Sequence, residues 1–179
     1  TSIPAMSCAT SAWVDALAGT NTQVRDSRKT LPGLRMLQKY AVRVAGGFNH
    51  RMSLADAALI KDNHVIAAGG VVEAYRAVRQ SFPDVPVEVE VTSVEQVRQV
   101  VAAGATDILL DNMSVAAMAR IVAELADLAT FEASGGLTLL NAAEVAQTGV
   151  NFVAVGAITH SAPALDIALD FLLESEECE

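Results

Sequence analysis

Basic residues cluster in two early segments of the chain, where they could bind an anion. The motif RDSRKT places Arg28 and Lys29 just after the first predicted strand, and the motif NHRM places His50 and Arg51 on a loop. An arginine binds carboxylate or phosphate groups through two parallel hydrogen bonds, and a lysine acts as a point charge. Neighbouring basic residues are also typical of a solvated surface, so neither segment identifies a site by itself.

Charged residues also stand at the ends of predicted buried strands. Lys61 directly follows the apolar run ALI, and the strand VEVEV carries Glu88 and Glu90 on one face, where unpaired charge is costly. Glu90 and Asp111 end neighbouring strands. Together they could hold Mg²⁺, which prefers oxygen ligands and shares them with phosphates and water. The structural alternative is that Glu90 pairs with Lys61 and that Asp111 caps the following helix.

Glycine loops follow the last two predicted strands. Ser134, Gly135 and Gly136 come after the fifth strand, and the segment from Gly156 to His160 comes after the sixth. Glycines allow backbone N–H groups to approach a phosphate closely at a helix start. Phosphate sites on barrels favour the loops after the final strands. A Gly-Gly pair alone is equally compatible with a simple turn.

These residues are positioned by an alternation of short apolar strands and amphipathic helices. The strands are predicted at 22–27, 57–60, 87–91, 107–110, 130–133 and 152–155. The helices are predicted at 33–44, 70–81, 94–103, 115–128 and 139–148. Such alternation indicates a parallel α/β sheet with right-handed crossovers.

The position of the polar residues favours a barrel over an open, doubly wound sheet. In a barrel the carboxyl ends of all strands meet on one face, whereas an open sheet spreads them along a line. We predict a TIM-like, incomplete (β/α) barrel of about six parallel strands over residues 22–161. Residues 1–21 are predicted as a helical lead-in. In 162–179, the apolar alternation from Leu165 to Phe171 is typical of a strand, although a helix also fits, and the acidic end is predicted to be disordered.

Charge and composition limit the possible functions. The net charge is −9, which argues against a nucleic-acid-binding surface. Residues 1–61 nevertheless hold 8 basic against 3 acidic residues, so a local pocket could bind a small polyanion. No apolar run is long enough to span a bilayer, and the two cysteines have no metal-ligand spacing. A cytoplasmic protein without a membrane or nucleic-acid partner is expected.

The motifs, in their order, resemble the C-terminal barrel of the quinolinate phosphoribosyltransferases (nicotinate-nucleotide diphosphorylase, carboxylating). The resemblance runs from about Trp13 to Phe171 and rests on RDSRKTLPGLR, NHR, LIKDNH, VEVEV, ILLDN, EASGG and VGAITHS. It implies a pentosyltransferase of NAD synthesis. Such an enzyme converts quinolinate and phosphoribosyl diphosphate to nicotinate mononucleotide, diphosphate and CO₂, with Mg²⁺.

The resemblance also implies roles for individual residues. Quinolinate would be bound by Arg28, His50, Arg51 and Lys61. Catalytic roles near phosphoribosyl diphosphate would fall to Lys29, Lys61, Glu90 and Asp111, of which Glu90 and Asp111 would be the Mg²⁺ ligands. The 5′-phosphate loops would contribute Ser134, Gly135, Gly156 and His160.

Family members carry an N-terminal sandwich domain before the barrel and act as homodimers or higher oligomers. That domain is not in this sequence, and the C-terminal segment normally returns to it, so reduced or no activity is expected of the chain alone. Three alternatives stay open: a molybdenum-transport-associated ModD-like phosphoribosyltransferase with another acceptor, a non-catalytic subunit or remnant, and a generic phosphate-binding, aldolase-like barrel.

Overall fold

The computed structural model describes residues 3–171, in which six strands alternate with helices. The strands are β1 Gln23–Arg25, β2 Ala58–Ile60, β3 Val87–Val91, β4 Asp107–Asp111, β5 Thr130–Ser134 and β6 Phe152–Ala154. The helices are α1 Ile3–Ala16, α2 Arg35–Val44, α3 Asp62–Ala68, α4 Val71–Ser81, α5 Val94–Ala102, α6 Val115–Leu125, α7 Ala142–Ala146 and α8 Ala157–His160. Within these residues, none of the helices has the length and apolar character needed to cross a membrane.

All six predicted strands are confirmed, and the five predicted helices correspond to α2, α4, α5, α6 and α7. The sequence reasoning missed two short helices, α3 and α8. Both ends of α3 nevertheless have recognisable capping residues. The side chain of His64 accepts the backbone N–H of Lys61 at 3.0 Å, and Gly69 ends the helix in the left-handed conformation, at φ 82°. A glycine there avoids the strain that a Cβ would cause.

The sheet is entirely parallel, in the order β1-β6-β5-β4-β3-β2. Because side chains alternate along a strand, each strand divides its residues between two faces. The face under the helices is apolar, with the buried register row Val91, Leu110, Ala133, Val153 and Val24. Burying each of the larger side chains stabilises the fold by about 1.5–3 kcal/mol. The opposite face holds the row Glu90, Leu109, Glu132, Phe152 and Gln23.

The sheet curls so that this second face becomes the interior of an incomplete barrel. Arg25 of β1 forms an ion pair with Glu132, two strands away on β5, at 2.6 Å. The edge strands β1 and β2 share no ladder among the described residues, and β1 gains only a single bridge, from Arg25 to Phe48. The prediction of a TIM-like barrel with about six parallel strands is therefore confirmed.

The starts of α5 and α6 are capped by serines. The Ser93 hydroxyl accepts the N–H of Gln96 at the start of α5, and that of Ser114 accepts the N–H of Ala117 at the start of α6. The alternative in which Asp111 caps α6 is therefore wrong, because three residues separate this carboxylate from the first helical turn. Asp111 instead remains at the strand end, facing the interior.

The strand predicted between Leu165 and Phe171 is not formed, and neither is the alternative helix. A strand needs a partner for its backbone hydrogen bonds. In the described chain nothing pairs with this segment, so its apolar side chains are exposed. The acidic end at 172–179, predicted to be disordered, lies outside the described residues.

Candidate functional site

The residues that the sequence predicts to bind phosphate and metal line one cavity at the carboxyl end of the barrel. Its volume is about 540 Å³, and its walls come from the carboxyl ends of the strands and the loops that follow them. The predicted residues in its lining are Lys29, Lys61, Glu90, Asp111, Ser134, Gly135, Gly156 and His160. Residues at or just after the carboxyl ends of six different strands are thus brought together by the curl of the sheet.

A second cavity of about 260 Å³ holds the predicted carboxylate-binding cations. Arg28, His50 and Arg51 line it. The two cavities share the lining residues Lys29, Lys61, Glu90, Ser134, Ala154 and Gly156, so they are adjoining parts of one mouth. Every residue that the sequence singled out as a site candidate therefore reaches the same end of the barrel.

Lys61 and Glu90 pair across this mouth. The ammonium group lies 2.5 Å from Glu90 Oε2, as the structural alternative predicted. The lysine side chain remains 48 % exposed. The Glu90 side chain is only 14 % exposed, but the lysine end of the pair is open to solvent. Lys61 can therefore exchange this carboxylate for a ligand at lower cost than a fully buried pair would allow.

Gly135 packs against the loop that follows β4. It has a φ of 85°, and a Cβ at this position would lie 2.2 Å from Asn112 Oδ1. Asn112 itself has a φ of 52° and donates to Asp111 Oδ2 at 2.9 Å. A Cβ at position 135 would force the Asn112 side chain to move, and the positive φ itself favours glycine.

Gly156 and His160 lie one turn apart in the last loop. A Cβ at Gly156 would come within 3.1 Å of His160 Nε2 and 3.6 Å of Ser27 Oγ. The hydroxyl of Ser27 in turn lies 3.3 Å from Thr159 Oγ1. The first loop, which carries Arg28 and Lys29, is therefore in direct contact with the last one.

A fully buried ion pair, which the sequence reasoning missed, fixes the two cationic loops relative to each other. Asp26 Oδ1 accepts from Lys39 Nζ at 2.5 Å and from the N–H of His50 at 2.8 Å. Lys39 also donates to the carbonyl of His50, and Asn49 Nδ2 donates to Asp26 Oδ2. Burial lowers the pKa of Lys39, and the hydrogen bond to Asp26 opposes that shift.

Two further residues of the segment after β1 have the same positioning effect. Buried Gln38 accepts the N–H of Leu31 and donates to the carbonyl of Thr159, which joins the first loop to the last. Arg35 donates to the carbonyls of Arg28 and Met52. The available signal was polar residues on the inward face of α2, whose large apolar residues Met36, Leu37, Tyr40 and Val44 are exposed.

Beneath the mouth lies a charged cluster of Arg25, Glu88, Glu132 and His50, in which the sequence reasoning had noted Glu88 and His50 but missed Arg25 and Glu132. Glu88 Oε2 lies 2.7 Å from His50 Nε2, and Arg25 contacts both Glu132 and the ring face of Phe152. Burial and the nearby Glu88 raise the pKa of Glu132 to about 7, outweighing the opposing effect of Arg25. The signal in the sequence was the presence of charged residues in three buried strands, β1, β3 and β5.

His50, Glu88 and Glu132 place one potential metal-ligand atom each within 4.8 Å of one another. A cation there would compete with the Arg25 guanidinium, which already lies 2.6 Å from Glu132 Oε2. Glu90 also has a cationic partner, Lys61, but this lysine is 48 % exposed, and Glu90 and Asp111 face the open cavity with its glycine loops. The donor chemistry at the mouth therefore suits Mg²⁺ better than the cluster below it does.

The charges that line the cationic cavity favour the binding of an anion. Desolvation by burial and the neighbouring Arg28 lower the pKa of Arg51. Arg51 is anchored through Nη1 to the carbonyl of Ala57 at 2.9 Å. The buried Nε of Arg28 has no hydrogen-bond partner among the described residues. An unpaired buried donor next to a second arginine would be satisfied by a carboxylate.

Known proteins resemble this chain over most of its length. Residues 6–170 match the family described as "Quinolinate phosphoribosyl transferase, C-terminal domain". A nicotinate-nucleotide pyrophosphorylase [carboxylating] of Mycobacterium leprae is 56% identical over 165 residues, which cover 90% of this chain and 58% of the relative. A probable enzyme of the same name from Bacillus subtilis is 45% identical over 161 residues, with 88% and 55% covered.

A solved structure has the same architecture. The nicotinate-nucleotide pyrophosphorylase from Ehrlichia chaffeensis superposes with a TM-score of 0.89 at 35% identity, covering 94% of this chain and 62% of that one. The chain spans about half the length of the curated relatives it matches.

Proposed function

The chain belongs to the family of the C-terminal domain of quinolinate phosphoribosyltransferase, and from that premise we propose that it binds quinolinate and phosphoribosyl diphosphate for transfer of the phosphoribosyl group. The observation that carries the proposal is the pair of adjoining cavities. One is lined by cations and the other by glycine loops and carboxylates, and they share Lys29, Lys61, Glu90 and Gly156. Two anionic reactants bound in these cavities would meet at the shared wall.

The cationic cavity suits an aromatic dicarboxylate. Arg28 and Arg51 lie close enough for the first to lower the pKa of the second, and Lys61 adds a third positive charge at the boundary. Like-charged reactants repel strongly in a water-poor cavity. The main contribution of these residues is therefore to compensate charge and to hold the acceptor nitrogen facing the ribose.

The glycine-lined cavity suits the phosphoribosyl donor. Backbone N–H groups around Gly135 and Gly156 can approach a phosphate without interference from a Cβ. As diphosphate leaves, positive charge develops on the ribose, and the carboxylates of Glu90 and Asp111 are placed to stabilise it. Lys29 and Lys61, which line the same cavity, offset the negative charge of the leaving group.

Mg²⁺ forms part of the proposal. Glu90 and Asp111 would hold it, because their oxygens face the cavity in which a diphosphate would bind. When bound, the ion would neutralise charge on the departing diphosphate. Loss of CO₂ would follow transfer, since a quaternised pyridine ring can accept the electron pair that the carboxylate leaves behind.

Calorimetric titration tests the proposal. The chain should bind quinolinate more tightly than nicotinate, because only quinolinate presents two carboxylates to Arg28, Arg51 and Lys61. Lys61→Ala should lower quinolinate affinity about tenfold or more, the effect expected for a lost charge-assisted contact. Arg120→Ala removes the same charge from the exposed face of α6 and is the matched control.

Equal affinity for nicotinate and quinolinate would favour the ModD-like alternative with another acceptor. If neither pyridine binds while phosphoribosyl diphosphate does, the acceptor site is not formed by this chain alone. The resemblance also implies a homodimer. Because the apolar residues on the outer face of α2 are exposed here, light scattering of the chain at several concentrations tests that part of the proposal.

A further inference from the structure

The ring of His50 lies between the cationic cavity and the charged cluster below it. The family resemblance implies that His50 binds quinolinate, which would require a ring nitrogen directed at the ligand. Both ring nitrogens already have protein partners. Nε2 lies 2.7 Å from Glu88 Oε2, and Nδ1 accepts the backbone N–H of Arg51 at 2.8 Å.

These contacts define the protonation state of the ring. A backbone N–H can only donate, so Nδ1 must be the unprotonated, accepting nitrogen. The proton then resides on Nε2 and is donated to Glu88, whose ionised carboxylate can only accept. From this geometry we infer that His50 is a positioning residue, held as the neutral Nε2–H tautomer between Glu88 and the Arg51 main chain, and that it fixes Arg51 for the anion without adding charge.

The charges of the cluster below agree with a neutral imidazole. Arg25 supplies one positive charge against the carboxyl groups of Glu88 and Glu132. Burial raises the pKa of Glu132 to about 7, so near neutral pH the extra proton can reside on this carboxyl group. With His50 neutral and one carboxyl protonated, the buried charges balance. A protonated imidazole facing two ionised carboxylates would balance them equally, so the hydrogen bond from the Arg51 N–H to Nδ1 decides between the two states.

Arg51 links the His50 ring to the anion-binding part of the cationic cavity. Arg51 is fixed at its main chain by His50 and at its guanidinium by the carbonyl of Ala57. The main chain of His50 is itself held by Asp26 and Lys39. Replacing Glu88 by an apolar residue frees the ring to rotate, which removes one of the two anchors of Arg51.

The ring can be observed directly by long-range ¹H–¹⁵N correlation spectra of the ¹⁵N-labelled chain at neutral pH. The chain has three histidines, so His64→Gln and His160→Gln variants assign the His50 signals. We expect one protonated nitrogen, Nε2, and one bare nitrogen, Nδ1. Protonation of both nitrogens, or a proton on Nδ1, would overturn the inference.

The functional consequence rests on the proposed function and is tested by substitution at position 88. Glu88→Gln keeps an acceptor for Nε2, so the tautomer and the quinolinate affinity should stay close to wild type. Glu88→Met removes the acceptor, and we expect mixed tautomers with affinity about tenfold weaker, as for loss of one buried hydrogen bond. Glu144→Met, on the exposed side of α7, is the matched control.

The outcomes separate the two hypotheses. Wild-type affinity in Glu88→Met would contradict the positioning role even if the tautomer is as expected. If the wild-type chain binds no quinolinate, the proposed acceptor is wrong, while the spectrum of His50 still decides its tautomer. Should Glu88→Met fail to fold, the wild-type spectrum and the Glu88→Gln variant still test the inference.

Discussion

Ion pairs of the same length occur in two regions of this protein, the interior and the solvent-facing surface. Lys39–Asp26 and Lys61–Glu90 both measure 2.5 Å, but the first pair is fully buried and the second has a lysine that is 48 % exposed. Arg25–Glu132 and Arg98–Glu124 both measure 2.6 Å, and again one carboxylate is buried while the other is exposed. Distance alone therefore does not distinguish the regions.

The difference lies in what each pair would lose if one partner were removed. A charge left alone in the interior has no water to solvate it, so breaking a buried pair is far more destabilising than breaking an exposed one. The buried pairs hold the loops and the charged cluster in place. The exposed pair at the mouth can separate, which is what a ligand-binding lysine requires.

The largest effect is expected for Lys39→Met. It leaves Asp26 buried without its cation and releases the carbonyl of His50. The free energy of unfolding should fall by about 3–5 kcal/mol, as for other broken buried pairs. Urea denaturation followed by circular dichroism measures this. A loss of less than about 1 kcal/mol, as for an exposed pair, would contradict the expected difference between buried and exposed ion pairs.

A smaller effect is expected for the pH dependence of stability. Because the folded pKa of Glu132, about 7, lies above the ordinary value of 4.5, the native state binds the proton more tightly than the unfolded chain. This contribution is fully present below pH 4.5 and is lost as the pH rises through 7. A rise of about 2.5 pKa units corresponds to roughly 3.5 kcal/mol at about 1.4 kcal/mol per unit, and roughly 2.5 kcal/mol of this should be lost between pH 5 and 8.

Glu132→Gln should remove that dependence, as denaturation curves measured from pH 5 to 8 would reveal. Glu124→Gln is the matched control on the surface. The hydrogen bond from Arg98 lowers the pKa of Glu124, so this group titrates below the window and its replacement should leave the slope unchanged. Equal slopes in wild type and Glu132→Gln would contradict the assignment.

Lys61→Ala tests the ion pair at the mouth, for which only a small loss of stability is expected. Removal of this half-exposed lysine should change the unfolding free energy by less than about 1 kcal/mol. The same variant should lose quinolinate affinity, so binding and stability separate at this position. Thermal denaturation of the calorimetry samples provides the measurement, and a large drop in melting temperature would indicate a structural role instead.

The smallest effect is expected for Arg98→Ala on the outer surface. Arg98 makes two hydrogen bonds to Glu124 across α5 and α6, at 2.8 and 2.6 Å. Both side chains remain in water, so stability should change little, and the small change should shrink further in high salt. Urea denaturation at low and high salt checks both statements. A loss that does not depend on salt would indicate packing rather than charge.

Much of the site could be predicted because strand ends are local features. Lys61, Glu90 and Asp111 follow or end short apolar runs, and parallel strands in a barrel bring their carboxyl ends to one face. The positioning residues could not be predicted in the same way. Lys39 lies on a helix where a lysine would ordinarily face water, and only the tertiary structure turns it toward Asp26.

By itself, the sequence determined the alternation of strands and helices, the parallel barrel and the set of residues at its mouth, because these follow from periodicity and from the order of the motifs. The tertiary structure decided which charges are buried, which nitrogen of His50 carries its proton and why 165–171 forms no strand. Those outcomes depend on partners far apart in the chain. The energy of a charge or an unpaired strand is set by what surrounds it in space, and sequence neighbours do not specify that.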